Sequence, residues 1–255
     1  MHPFIALAFN GFREARRNRV TVVVGVFALV LLLSSTLVVE VTITTFERVL
    51  TDMGLGAMSL TLALLAIFLS SGLLSREIER RTIFLMVSKP ISRGAFLVGR
   101  LVGNMLTLTV LLVSMGALFA VLMAVYGYPL TAAHLQAMAM LWFELWVLSG
   151  IGFLMSSFSS QMVSAFVTVG LYFAGHLSGD IYKLAKKSES PFVQKVGRAA
   201  YYLLPDLERL NYRPHATYGL TTGLGELLPS AGYALAYTGV LVAMAVLLFN
   251  RRDFR

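Results

Sequence analysis

Cysteine is absent from the 255-residue chain, which excludes disulfide staples, thiolate metal sites and a thiol nucleophile. Charge is scarce as well: Asp, Glu, Lys and Arg make up 13% of residues, against 57% hydrophobic ones. A soluble domain carries about 25% charged and about 45–50% apolar residues, so an ordinary cytosolic enzyme and a disordered chain are both excluded. The motifs that carry chemistry are missing too. There is no GxxxxGK[ST] phosphate loop, no HExxH, no GxSxG and no DxDxDG calcium loop. The four histidines (His2, His134, His176, His215) are scattered without metal-ligand spacing. No catalytic residue, metal site or cofactor bound by this chain is expected. Acid is scarcer than base, 13 residues against 21, giving a net charge of +8. In a chain this apolar the excess belongs to loops on the cytoplasmic side, so no nucleic acid is expected as a partner.

What is present is long apolar runs. A helix crosses about 30 Å of hydrocarbon with about 20 apolar residues. Six windows meet or approach that length: 20–39, 53–75, 101–126, 138–158, 162–179 and 231–249. The fourth contains one acid, Glu144, and the fifth contains His176. In lipid every backbone amide must be satisfied within the segment, and the windows lack the period-2 alternation of barrel strands. The expected fold is an all-α membrane protein of six transmembrane helices in a single domain, 1–255. The first window is too long for the apolar core of a leader peptide and lacks a clear small-x-small cleavage site, so it reads as an uncleaved span.

Lys and Arg in the loops orient the chain. With six spans the two termini share a side, and that side collects 13 basic residues against 8 on the other. Both termini are therefore expected in the cytoplasm. The segment 182–228 resists this pattern. It carries seven basic residues, Lys183, Lys186, Lys187, Lys195, Arg198, Arg209 and Arg213, yet falls outside by parity.

Three stretches outside the spans carry pattern. In residues 3–17, Phe4, Ala8 and Phe12 lie four apart, and Asn10, Arg13, Glu14 and Arg17 occupy much of the remaining surface. That spacing favours a helix lying in the headgroup plane over a basic start that only orients the chain. After the second span, a charged turn (Arg76, Glu77, Glu79, Arg80, Arg81) precedes a short apolar helix with Ile83, Phe84, Met86 and Val87, followed by Lys89 and stopped by Pro90. Ser92 can cap the helix that runs into the third span. Composition leaves two readings of this loop open: a docking knob for another protein, or a basic loop that sets topology. In residues 191–204, Val193, Val196, Ala200 and Leu203 follow helical spacing between Pro191 and Pro205. That helix is too short to span and is expected at the outer surface, with Tyr201 and Tyr202 at headgroup level.

Three ionisable positions lie within or beside the spans. A carboxylate within a span, such as Glu144, is a functional candidate by default. Trp142 and Trp146 flank it, however, which favours a place in the interfacial belt with the carboxylate reaching headgroups or water. His176 and Asp180 are four apart, able to share one helix face, but the span end is the favoured reading. Gly99/Gly103 and Gly175/Gly179 fit close helix packing, a weak signal among 21 glycines.

The motif Ser75-Arg76-Glu77-Ile78-Glu79-Arg80-Arg81-Thr82, with Ser88-Lys89-Pro90-Ile91-Ser92-Arg93 after it, resembles bacterial type-2 ABC permeases. The nearest group includes the permease subunit of the copper-maturation system for nitrous oxide reductase. The likeness extends to Phe12-Arg13-Glu14-Ala15, to Gly175-His176-Leu177-Ser178 and to Tyr202-Leu203-Leu204-Pro205-Asp206-Leu207-Glu208. The resemblance implies a homodimer in the bacterial inner membrane, working with two copies of a separate ATPase that binds ATP and Mg. Glu77, Glu79, Arg80, Arg81, Ile83, Phe84, Val87 and Lys89 then belong to a cytoplasmic coupling helix seated on that ATPase. Phe4, Phe12 and Arg13 belong to the interfacial helix. The outer helices between spans five and six, with His176, Asp180, Val193, Val196, Tyr201, Tyr202, Asp206 and Glu208, form an outer gate or a dock for a periplasmic accessory protein. Such a subunit exports a substrate or transmits ATP-driven motion. The alternative is a secondary transporter or channel working alone, which needs carboxylates in the bundle and no ATPase.

Overall fold

The computed structural model describes residues 20–41, 45–79 and 93–250. Among these the regular structure is helical throughout. The elements are α1 (Val20–Val41), α2 (Phe46–Glu79), α3 (Arg93–Val125), α4 (Ala132–Ser156), α5 (Gln161–His176), α6 (Ser178–Lys187), α7 (Pro191–Leu203), a 3₁₀ turn (Glu208–Leu210), α8 (Arg213–Thr217) and α9 (Leu224–Asn250). Residues 3–17, Arg80, Arg81, Ile83, Phe84, Val87 and Lys89 lie outside the described residues, and so does the helix expected before Pro90. Glu77 and Glu79 continue α2, so the expected charged turn at residues 76–79 is instead the last turn of a 34-residue helix.

Among the described residues four helical stretches are long and apolar enough to cross a membrane: Phe46–Gly72, Gly94–Val125, Ala132–Ser156 and Leu224–Phe249. The described apolar part of α1 is Val22–Leu33. The fifth expected span departs from a straight rod. α5 holds 16 residues and rises only about 24 Å, short of the hydrocarbon thickness. It breaks at Leu177 and is followed by α6 at a bend of 58°. The chain is thus a multi-pass membrane protein with four long spans among the described residues, or five if the bent pair counts as one.

α4 is the axis of the bundle. It is apolar on every side, as a helix enclosed by others must be, and Leu145, Val147, Leu148, Ile151 and Phe153 are all buried. It packs against α2, α3, α5 and α9. Gly152 is a point of close approach. A Cβ there would run into the Ser70 hydroxyl, and the Ser164 hydroxyl donates to its carbonyl at 3.0 Å. At one end of the bundle Phe96, Leu97, Phe153, Leu154, Ala245 and Phe249 form a small apolar cluster.

The opposite end carries the longer connections. Phe46 stacks on Tyr126 at 4.8 Å, and Thr51 bonds the His134 ring at 3.2 Å. The Gln136 amide exchanges two hydrogen bonds with the Thr222 backbone. At this end the chain between Pro205 and Thr217 enters the main core. Leu207, Leu210, Tyr212 and Ala216 are buried with the side chains of α2 and α4. They act as a plug wedged between spans.

Candidate functional site

The plug closes over a row of ionisable side chains. Glu144 lies midway along α4 and is 2% exposed. His176, the last residue of α5, donates from Nε2 to Glu144 Oε1 at 3.1 Å. Its other ring nitrogen, Nδ1, faces Glu208 Oε2 at 3.4 Å. One imidazole therefore joins α4, the end of α5 and the 3₁₀ turn of the plug. The Tyr172 ring stands edge-on to the imidazole at 4.8 Å. Asn211 Nδ2 donates to both Glu208 oxygens, at 3.3 and 3.1 Å. Glu144 is buried while the His176 side chain is 22% exposed, and a buried carboxylate needs a donor, so His176 holds Glu144 in place.

Gly175 makes this approach possible. A Cβ there would stand 2.8 Å from the Pro205 carbonyl oxygen and 2.8 Å from the Leu207 side chain. The turn that follows is held by Ser178, whose hydroxyl donates to the Gly175 carbonyl at 2.9 Å. The plug is pinned from other sides too. The Asp206 amide donates to Tyr233 Oη at 2.8 Å, and the Arg209 guanidinium lies over the Tyr233 ring. Arg213 Nε sits 3.3 Å from Asp52 Oδ1, an ion pair in which the N–H is not aimed at the oxygen.

Beside this row opens a cleft of about 480 Å³. Tyr172, Phe173 and Leu177 give it an apolar wall, and Asp180, Lys183, Glu208, Asn211 and Arg213 a polar one. Asp180 and Lys183 pair with each other at 3.1 Å across one turn of α6. Among the described residues no three His, Asp or Glu side chains are placed to hold a metal ion. In the triad the imidazole itself occupies the space between the two carboxylates.

Of the residues singled out from sequence, the structure brings His176, Asp180 and Glu208 to one cleft. His176 and Asp180 do not share a bond; each finds another partner. Asp206 caps the following turn by accepting from the Arg209 amide at 3.3 Å. Tyr201 stacks on Tyr182 at 4.9 Å, while Tyr202, Val193 and Val196 are exposed. α7 packs on α6, where Gly197 meets Ala185, and no α7 residue lines the cleft. The segment that covers the site is the plug, of which the sequence reading named Asp206 and Glu208 as gate or dock residues and Arg209 and Arg213 for their charge alone.

Glu144 requires a correction. It does not reach headgroups or water from an interfacial belt; it is enclosed in the bundle. The tryptophan argument misled because the Trp142 Nε1–H turns to α3, donating to Thr109 at 2.8 Å, and does not mark a headgroup boundary beside Glu144. The signal that could have found the plug is the apolar series Leu207, Leu210, Tyr212 and Ala216, set among polar residues from Pro205 to Thr217.

Comparison with known families matches residues 5–254 to the model of the family described as ABC-2 family transporter protein. Comparison with curated proteins finds no match.

Proposed function

The chain belongs to the ABC-2 family of transporter proteins, and on that premise we propose that it is the membrane subunit of an ATP-driven machine whose ATPase is a separate chain. The observation that carries this reading is a family match over nearly the whole length, on a bundle with four long apolar spans and no phosphate loop of its own. In this reading α1 and the bent α5–α6 pair complete six spans, and both termini and residues 76–92 face the cytoplasm. Two copies of the chain pair with two ATPase subunits, which bind ATP and Mg. Ile83, Phe84 and Val87 seat in the ATPase, with Glu77, Glu79, Arg80, Arg81 and Lys89 around them. The cleft beside His176 opens outward, where the complex exports a solute or passes motion to a periplasmic partner. The 76–93 motif supports placement near the permeases of the nitrous oxide reductase maturation group.

The test is co-purification of the full chain from its native membrane in mild detergent. The reading predicts recovery of a phosphate-loop ATPase and its loss with Phe84→Asp, since an unpaired charge buried in an interface costs several kcal/mol. Charge reversal at Arg80 and Arg81 is expected to be milder, because rim charges contribute little. Recovery of the ATPase with Phe84→Asp at the native level contradicts the docking role.

A second reading, a transporter working alone and coupled to an ion, is favoured by one observation, the enclosed carboxylate of Glu144. Transport by the purified chain without ATP or a second subunit is its signature.

A further inference from the structure

The Glu144–His176–Glu208 row has a hydrogen count that the fold cannot satisfy at every pH. Each ring nitrogen of His176 faces a carboxylate oxygen, at 3.1 Å toward Glu144 and 3.4 Å toward Glu208. An ionised carboxylate only accepts, and a neutral imidazole has one N–H and one lone pair. Filling both contacts takes two protons shared among the three groups. With one proton fewer, a lone pair faces a carboxylate and one contact becomes repulsive.

The surroundings decide which contact fails. The Glu144 side chain is only 3% exposed, and losing its donor would strand an anion in the bundle. The Glu208 side chain is 52% exposed, can be hydrated, and keeps its bonds from Asn211. The single N–H therefore stays on Nε2 toward Glu144, and the Nδ1–Glu208 contact is the one released. Among the described residues no other charge facing His176 replaces it. On α6, Lys183 is paired with Asp180. Arg213 of α8 is paired with Asp52 of α2. Tyr172 of α5 presents its ring to the imidazole.

The position of the imidazole gives this loss a mechanical consequence. His176 is the last residue before the break at Leu177, where the chain bends by 58°. Glu208 lies in the plug, whose Leu207 and Leu210 are buried in the main core. We propose that the Glu144–His176–Glu208 row is a proton-binding site that latches the plug to the α5–α6 hinge, and that release of one proton to water loosens the Glu208 corner of the plug over the cleft. Protonated, the site ties α4, the hinge and the plug together. On deprotonation the Nδ1 proton leaves, Nε2–H stays on Glu144, and Glu208 swings into water. The latch does not depend on what the chain moves or on what drives it.

Because the chain has no native cysteine, nitroxide labels can be placed cleanly. Labels at Leu184→Cys on α6 and Leu220→Cys beyond α8, both exposed positions, report the separation of hinge and plug in the full chain in lipid nanodiscs. The distance is followed by pulsed electron paramagnetic resonance from about pH 5 to about pH 9, a range that brackets imidazole titration. One narrow distance is expected at the acid end and a second, longer population at the alkaline end, appearing with the slope of a single proton. His176→Ala is expected to show the longer population at every pH. Glu208→Gln is expected to do the opposite and stay latched at every pH, because an amide can accept from Nδ1–H or donate to the bare Nδ1. A role in packing alone does not predict that difference of sign. A native distance unchanged across the range, or a Glu208→Gln chain that opens with the native pH dependence, overturns the proposal. If His176→Ala fails to fold, the native titration and Glu208→Gln decide it.

Discussion

Gly175 and Gly179 share one Gly-xxx-Gly spacing and meet different surroundings. A Cβ on Gly175 collides with the Pro205 carbonyl and Leu207, whereas nothing lies within 4 Å of a Cβ on Gly179. Gly175→Ala is therefore expected to lower stability by about 1–3 kcal/mol, as overpacking does, and to lift the plug. Gly179→Ala, on the α6 helix, is expected to be neutral or to stabilise by about 0.4–1 kcal/mol. Thermal unfolding in detergent measures the first difference. Maleimide labelling of Leu210→Cys, at a buried position, measures the lift, and equal behaviour of the two variants contradicts the packing described. The sequence showed both glycines and could not tell them apart, because the atoms that matter come from a segment about 30 residues away. His176 was legible as a candidate for its residue type and place. Its partners were not, since Glu144 and Glu208 each lie 32 residues from it and on opposite sides.

At the scale of elements, the lengths of apolar runs translate directly into helices, because hydrocarbon leaves the backbone no other partner. Proline bounds α7 as its chemistry requires: Pro191 opens it and Pro205 follows its end. The break at Leu177 has no such mark. Leu177 has a φ of −93° and ψ of −1°, which any residue adopts. The bend comes from the plug pressed on Gly175 and from the Ser178 hydroxyl taking the Gly175 carbonyl. α7 leaves Phe192, Val193, Val196 and Leu203 exposed, with Lys195 and Arg198 beside them. That pattern belongs to a helix lying in a headgroup plane. Phe192→Trp is expected to be quenched by lipids brominated near the headgroup more than by lipids brominated near the chain end. The reverse order, or no quenching above the background of Trp142 and Trp146, contradicts this placement.

For the whole molecule, apolar length and the basic 76–93 loop made the family legible, and the family match extends from residue 5 to residue 254. The closure of the cleft was not read, because the apolar series Leu207, Leu210, Tyr212 and Ala216 marks residues 205–217 for burial without saying which spans they fold back against. The proposed function joins two ends of the bundle: in that reading an ATPase would act near residues 76–92 and the cleft would answer at the other end. Leu177, which lies at the hinge and lines the cleft, reports that link in a chain free of native cysteine. The measurement is the rate at which an impermeant maleimide reaches Leu177→Cys from outside, in right-side-out membrane vesicles holding the complete complex, with and without ATP inside. Labelling from outside is expected, at a rate that changes when ATP is present on the inner side. Labelling only from the side that holds ATP, or an outside rate indifferent to ATP, would contradict that reading.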